Sequence, residues 1–249
     1  MVPPASHVPV RSAREVLDTL LAAARPHDRR AWVALDLDGT LFDNRPRTLA
    51  ILRAFGLSRR HAEPDLLRAI EAVVATDVAY SPAAVVRSLG LAHEPCAEAF
   101  VTFWRERFFT NAFQALDHVE DGAAEFATHL TDAGLGVVYL TGRDRPGMLA
   151  GVVSALDSHG FPLATPQSMV VLKEDFHTAD VAFKRRALAE LGRNGPVVGL
   201  VDNEPGIVNM AIESVPGLLG VRMCRAFAPD PPELHGGAVQ MTSFRVLGA

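Results

Sequence analysis

Cysteine is scarce: Cys96 and Cys224 are the two in 249 residues, 128 positions apart and in no CxxC pair. That excludes a disulfide-stapled miniprotein, signals no thiolate zinc site, and makes a reducing cytoplasm the default compartment. A basic excess is missing too. Lys and Arg number 24 against 29 Asp and Glu, for a net charge of −5 and a pI near 6.0. Nothing therefore steers the chain toward a long nucleic-acid backbone or an anionic membrane, although local sites for small anions stay open. The longest charge-free apolar stretch beside a helical pattern, Pro146–Leu156, falls short of a bilayer-spanning helix, which needs ~20 residues. Met1–Val10 lacks a basic cluster followed by an apolar core, so it does not read as a secretory leader. There is no GxGxxG after a strand, no GxxxxGKS/T, no GxSxG and no HExxH, which removes dinucleotide, P-loop, serine-hydrolase and zincin chemistry. The nine histidines are scattered and read as surface or helix decoration.

What is present belongs to an ordinary soluble globular protein: 49% apolar and 21% charged residues, with 19 Gly and 17 Pro spread through the chain. The length suits one large domain or a core with a sizeable insertion. Ser12 and Glu15 have capping-box spacing ahead of Val16, Leu17, Leu20 and Leu21, which predicts an opening helix. Short apolar runs at Ala31–Leu37, Gly136–Thr141, Ser168–Leu172 and Val197–Asp202, with Leu218–Met223 as a fifth, read as buried parallel strands. Helical patterns at Pro146–His159, Ala179–Leu191 and Pro205–Ser214 separate them. The alternation predicts an α/β fold, a Rossmann-like three-layer core with a parallel sheet and helices on both faces.

The interval between the first two strands breaks the rhythm. Arg47–Phe55, Pro64–Val74, Pro82–Leu89 and Ala97–Phe113 all look helical, with Ser81 and Pro82 as an N-cap and N1 pair. We read 44–116 as an inserted all-helical domain, and 1–43 with 117–249 as the core, including a helix near Asp121–Ala133. Trp104 with Phe100, Phe103, Phe108 and Phe109 reads as a helical core stripe. Arg45, Arg47, Arg53, Arg59 and Arg60 read as a solvated helical face that can also meet an anionic substrate. Ala228–Pro232 is Pro-rich and reads as a rigid loop.

Chemistry gathers at the strand ends. The first strand runs into Asp36-Leu37-Asp38-Gly39-Thr40-Leu41-Phe42, where two aspartates two apart project to the same side and Gly39 permits a sharp turn. Ligands of open α/β sheets bind outside the carboxyl ends of strands, which is where this pair falls. The second strand ends in Thr141-Gly142-Arg143, and the fourth in Asp202-Asn203-Glu204. Lys184 lies near the start of a helix, while Lys173 ends the third strand. Taken singly, each has a bland reading: a solvated turn, a strand-end Thr, a surface lysine, a helix-capping Asp.

In this order the features resemble the four motifs of the haloacid dehalogenase superfamily of aspartate-nucleophile phosphohydrolases, over about 30 to 210. The resemblance implies Asp36 as nucleophile and Asp38 as general acid/base. It implies that Thr141 and Lys184, with Gly142 and Arg143 beside them, hold the phosphoryl group. It also implies Mg²⁺ on Asp36, Asp202 and the backbone carbonyl of Asp38, and a helical cap inserted after the first motif. Asn203 and Glu204 follow Asp202 where many members place a second acid, so an outer metal ligand is left open. Lys184 is preferred to Lys173 because Asp180 and Lys184 match the Asp-x-x-x-Lys helix opening of related phosphatases. Arg143 either contacts substrate or braces its turn.

The physics agrees with that resemblance. Two carboxylates and a phosphate dianion repel by ~4 kcal/mol per unit-charge pair at ~4 Å and an effective dielectric near 20, which a divalent cation offsets. All-oxygen ligation with room for water suits Mg²⁺. The expected activity is hydrolysis of a small phosphorylated metabolite, with no nucleic-acid or membrane partner. Carbon–halogen hydrolysis has no use for a second acid such as Asp38. A phosphomutase of the same superfamily stays open, and a phosphoaspartate receiver-like module is the reading from a different class.

Overall fold

Ser12 opens α1 (Ala13–Ala24) with the expected capping box. The Glu15 N–H donates to Ser12 Oγ at 3.3 Å, and the Glu15 carboxylate accepts from the Ser12 N–H at 2.8 Å. The computed structural model describes residues 8–89, 94–225 and 227–246; Met1–His7, most of the segment read for a leader, lie outside them. The strands are β1 (Trp32–Leu35), β2 (Phe42–Asp43), β3 (His118–Val119), β4 (Gly136–Asp144), β5 (Ser168–Lys173), β6 (Val197–Asp202), β7 (Leu219–Met223) and β8 (Val239–Met241). The further helices are α2 (Arg45–Ser58), α3 (Pro64–Glu71), α4 (Pro82–Ser88), α5 (Glu94–Phe108), α6 (Ala123–Asp132), α7 (Arg145–Ser158), α8 (Asp180–Asn194) and α9 (Pro205–Ser214).

Six strands form one parallel sheet in the order β5-β4-β1-β6-β7-β8. Alternate residues of the central strands face opposite layers. Trp32, Ala34, Val138, Leu140 and Leu200 join Phe183, Leu188, Ile207 and Val208 from α8 and α9 in one core. Val33, Leu35 and Val137 are as deeply buried on the intervening positions, as are Val16, Leu20, Phe126 and Leu130 from α1 and α6. Both faces are covered, which is why these strands read as continuous apolar runs. All five expected strands form. The unexpected β8 is three residues long, and its outer edge is covered by Pro9 and Arg11, which exchange 2.8 Å backbone bonds with Gln240.

Winding order reverses at β1: β4 and β5 follow on one side of it, β6 and β7 on the other. The crevice between the ends of β1 and β6 is thus the switch point where open α/β sheets bind ligands.

The chain divides into two compact units, one of Met1–Phe42, Val119–Pro146 and Leu156–Ala249, the other of Asp43–His118 and Gly147–Ala155. The second unit is helical and has its own core, in which Leu52, Phe55, Ile70, Val85, Val86 and Phe100 are buried together. Its last helical stretch is shorter than the sequence pattern suggests: α5 stops at Phe108 and Asn111–Leu116 winds as a 3₁₀ helix. Trp104 stacks on Phe108 at 4.2 Å, so the aromatic stripe is internal packing. The solvated arginine face holds at Arg53 and Arg60, which are exposed, and is corrected at Arg47. Arg47 is fully buried, with Nε and Nη2 donating to the two oxygens of buried Asp117 at 2.7 Å each and Nη1 to the Phe108 carbonyl at 3.0 Å. Arg45 lies on Asp43, and Arg59 on Glu63. A carboxylate seventy positions away, invisible to a count of local charge, draws the Arg47 guanidinium inward, while Arg45 and Arg59 pair locally and stay partly exposed.

Candidate active site

The ends of β1, β4 and β6 and the first turns of α8 bring the expected residues to one edge of the sheet. The Asp36 N–H still donates to the Val201 carbonyl at 3.0 Å, so the first aspartate is fixed by the β1–β6 ladder. Beyond it the chain turns through Gly39, whose φ of +75° lies in the region that a Cβ disfavours. Asp36, Asp202 and Lys184 are buried, with 6%, 0% and 4% of their surface exposed. Lys184 Nζ bridges the two acids, donating to Asp36 Oδ1 at 2.6 Å and to Asp202 Oδ2 at 2.7 Å. The other Asp202 oxygen accepts the Glu204 N–H at 2.9 Å. Of the two lysines weighed from the sequence, Lys184 is the one that reaches the carboxylates. Lys173 instead donates to Asp180 Oδ1 at 2.9 Å and to the carbonyls of Thr178 and Phe176.

The trio of two carboxylates and one ammonium carries a net charge of −1 out of water. Burial, opposed by Lys184 and reinforced by Asp202 and Asp38, pushes the Asp36 pKa up to about 7. For Lys184, burial acts against the charge, but Asp202 and Asp36 outweigh it and hold the ammonium above its ordinary value.

Asp38 points differently. Arg143, itself buried, grips it with both arms of the guanidinium: Nε to Oδ2 at 2.9 Å and Nη2 to Oδ1 at 2.8 Å. Arg143 lies where the β4–β5 register slips between Thr141 and Asp144. Thr141 is fully buried and its Oγ1 accepts the Arg143 N–H at 3.2 Å. Gly142 lies so close to Asp180 that a Cβ built on it would stand 2.5 Å from Asp180 Oδ2.

Two contributors went unread in the sequence. The Thr40 hydroxyl, fully buried, donates to Asp36 Oδ2 at 3.0 Å and accepts the Asn203 N–H at 3.0 Å. Thr40 sat in the same motif string as both aspartates, and Asn203 beside Asp202, so adjacency was the available signal.

A family model described as haloacid dehalogenase-like hydrolase matches residues 31–204, a span that begins before β1 and ends just past Asp202. The chain belongs to this family. A comparison with curated proteins finds no match for this haloacid dehalogenase-like hydrolase. Among solved structures it is similar to Protein Tyrosine Kinase A of Mycobacterium tuberculosis, at 19% identity and a TM-score of 0.57, covering 87% of this chain and 95% of that one. It is also similar to a HAD-superfamily hydrolase of subfamily IA from Geobacter sulfurreducens, at 18% identity and a TM-score of 0.52, covering 87% and 93%. A predicted phosphatase from Clostridium acetobutylicum matches at 16% identity and a TM-score of 0.51, covering 87% and 95%. At such identities these likenesses establish the fold of the hydrolase. Among its described residues, no helix is long and apolar enough to cross a membrane.

Proposed function

We propose that this haloacid dehalogenase-like hydrolase is a Mg²⁺-dependent phosphatase that cleaves a small phosphate monoester through an aspartyl phosphate on Asp36. The observation that carries the reading is a second acid, Asp38, held by both oxygens on Arg143 at the same strand end as buried Asp36. A carbon–halogen hydrolase has no alkoxide to protonate and no use for that acid.

Among the described residues no cluster of three or more His, Cys, Asp or Glu side chains gathers for a metal. Mg²⁺ is bound by one or two carboxylates plus waters and substrate phosphate, so a short donor set is what it takes. Asp36 and Asp202, both touching one ammonium and together leaving the trio at −1, fit that description. They would hold the ion with the Asp38 backbone carbonyl. When bound, Mg²⁺ neutralises charge on the carboxylates and the transferring phosphoryl group.

Asp36 attacks phosphorus, and the ester oxygen leaves with a proton from Asp38. Asp38 then takes a proton from water as it hydrolyses the aspartyl phosphate. Arg143 orients the Asp38 carboxylate through both of its oxygens. Thr40 and the Asn203 N–H orient Asp36 from behind. Thr141, Gly142 and Lys184 bind phosphoryl oxygens, Lys184 as a positive point charge in a water-poor site. The helical unit is the cap in this reading and selects the substrate.

The test is a phosphate-release screen over phosphorylated sugars, nucleotides and small acids, with an aryl phosphate as a generic substrate, with and without Mg²⁺. Turnover that survives exhaustive chelation would overturn the metal role. Isomerisation of a sugar phosphate without phosphate release would make the protein a phosphomutase, and stable labelling by acetyl phosphate without turnover a receiver-like module.

A further inference from the structure

Lys173 is buried at the end of β5, yet the proposed chemistry makes no use of it. Its ammonium has three acceptors: Asp180 Oδ1 at 2.9 Å, the Thr178 carbonyl at 3.1 Å and the Phe176 carbonyl at 3.4 Å. Asp180 is the first residue of α8, and Lys184 follows it by four. Residues four apart on a helix are neighbours, and an acid N-terminal to a lysine at that spacing is the favourable order for an ion pair. Helix geometry thus offers Asp180 to Lys184, whose ammonium is required by Asp36 and Asp202. The structure shows a different allocation. Asp180 pairs with Lys173, and its second oxygen packs against Gly142, where no side chain fits. The two lysines of the chain divide three carboxylates between them.

We propose that Lys173 is a positioning residue for Lys184: by engaging Asp180 it keeps that carboxylate off Lys184 and leaves the Lys184 ammonium on Asp36 and Asp202. The inference rests on the reading of Lys184 as a phosphoryl-binding cation, and it is testable separately from it. Protein labelled with 13Cε-lysine gives two side-chain signals, and Lys173→Arg, which keeps the charge pair, leaves the Lys184 signal alone to be assigned. Lys173→Met should displace the Lys184 signal and lower kcat on an aryl phosphate with Mg²⁺ by about tenfold, less than the loss of a whole transition-state donor. Adding Asp180→Asn to Lys173→Met removes the competing carboxylate and should return both the signal and kcat toward wild type, whereas a purely structural lysine would show a second loss. Lys173→Arg should stay close to wild type. An unmoved Lys184 signal in Lys173→Met, or one that stays displaced in the double variant, overturns the proposal. If Lys173→Met does not fold, Lys173→Gln, which can still donate to the two carbonyls, takes its place in the same comparison. A wild type that releases no phosphate refutes the phosphatase reading, and the two signals then judge the pairing by themselves.

Discussion

Asp36→Asn should abolish turnover and stabilise the metal-free protein, and the second effect can be sized from the structure. Burial, against Lys184 and with Asp202 and Asp38, lifts the Asp36 pKa from 3.8 to about 7. A folded-state value above the unfolded one means that the folded protein holds the proton more tightly. The group's contribution to stability is therefore fully present below pH ~4 and is lost as pH rises toward 7. At about 1.4 kcal/mol per pH unit the whole span is worth at most ~4 kcal/mol, of which ~2 kcal/mol falls between pH 5 and pH 7. Asparagine is nearly isosteric, does not titrate, and brings the trio's net charge from −1 to zero. Lys184 keeps its 2.7 Å bond to Asp202, so no buried ammonium is orphaned. Urea unfolding in chelator, at pH 5 and pH 8, should show wild type losing up to ~3 kcal/mol relative to the variant. Mg²⁺ at a hundred times its Kd should then restore ~2.7 kcal/mol to wild type and less to the variant. Parallel pH profiles, or a variant less stable than wild type at pH 8 without metal, would refute the argument that Asp36 is a strained buried charge.

Asp38→Asn should impair both proton transfers by ~10²–10⁴-fold; with an aryl phosphate, rapid mixing should show about one phenolate released per site before slow turnover, and wild-type rates on an alkyl phosphate would remove Asp38 from the mechanism. Arg143→Lys keeps a positive charge but not the two-armed grip on Asp38, so kcat on an alkyl phosphate should fall ~10–100-fold for the ~1.5–3 kcal/mol of one charged hydrogen bond; an unchanged kcat would mean that Asp38 needs no such holding. In the helical unit, Arg47→Met leaves buried Asp117 uncompensated and should cost ~3–5 kcal/mol in urea unfolding, with Arg47→Met/Asp117→Leu closer to wild type. A loss below ~1 kcal/mol would show that the pair is not holding the α2 end of the unit.

Periodicity and local chemistry were enough for the elements themselves. Strands buried on both faces must be apolar throughout, so β1, β4, β5, β6 and β7 stand out, and the Ser12–Glu15 cap is a contact within one turn. The Asp36–Asp38 string was legible for the same reason: its geometry is set by one strand end and one glycine turn. β8 was not, because three residues carry no period and its partners lie on β7 and at Pro9–Arg11. Partnership between distant residues was decided only by the tertiary structure. Charge density along the chain could not tell that Arg47 would fold in on Asp117, seventy positions away. Nor could it tell that Arg143 would close on Asp38, and the preference for Lys184 over Lys173 came from the Asp180–Lys184 helix opening rather than from charge, with the two acids it bridges supplied by the fold. A charged side chain follows whichever opposite charge the sheet order brings within reach as both leave water. That choice depends on strand register and crossover, which no local pattern encodes.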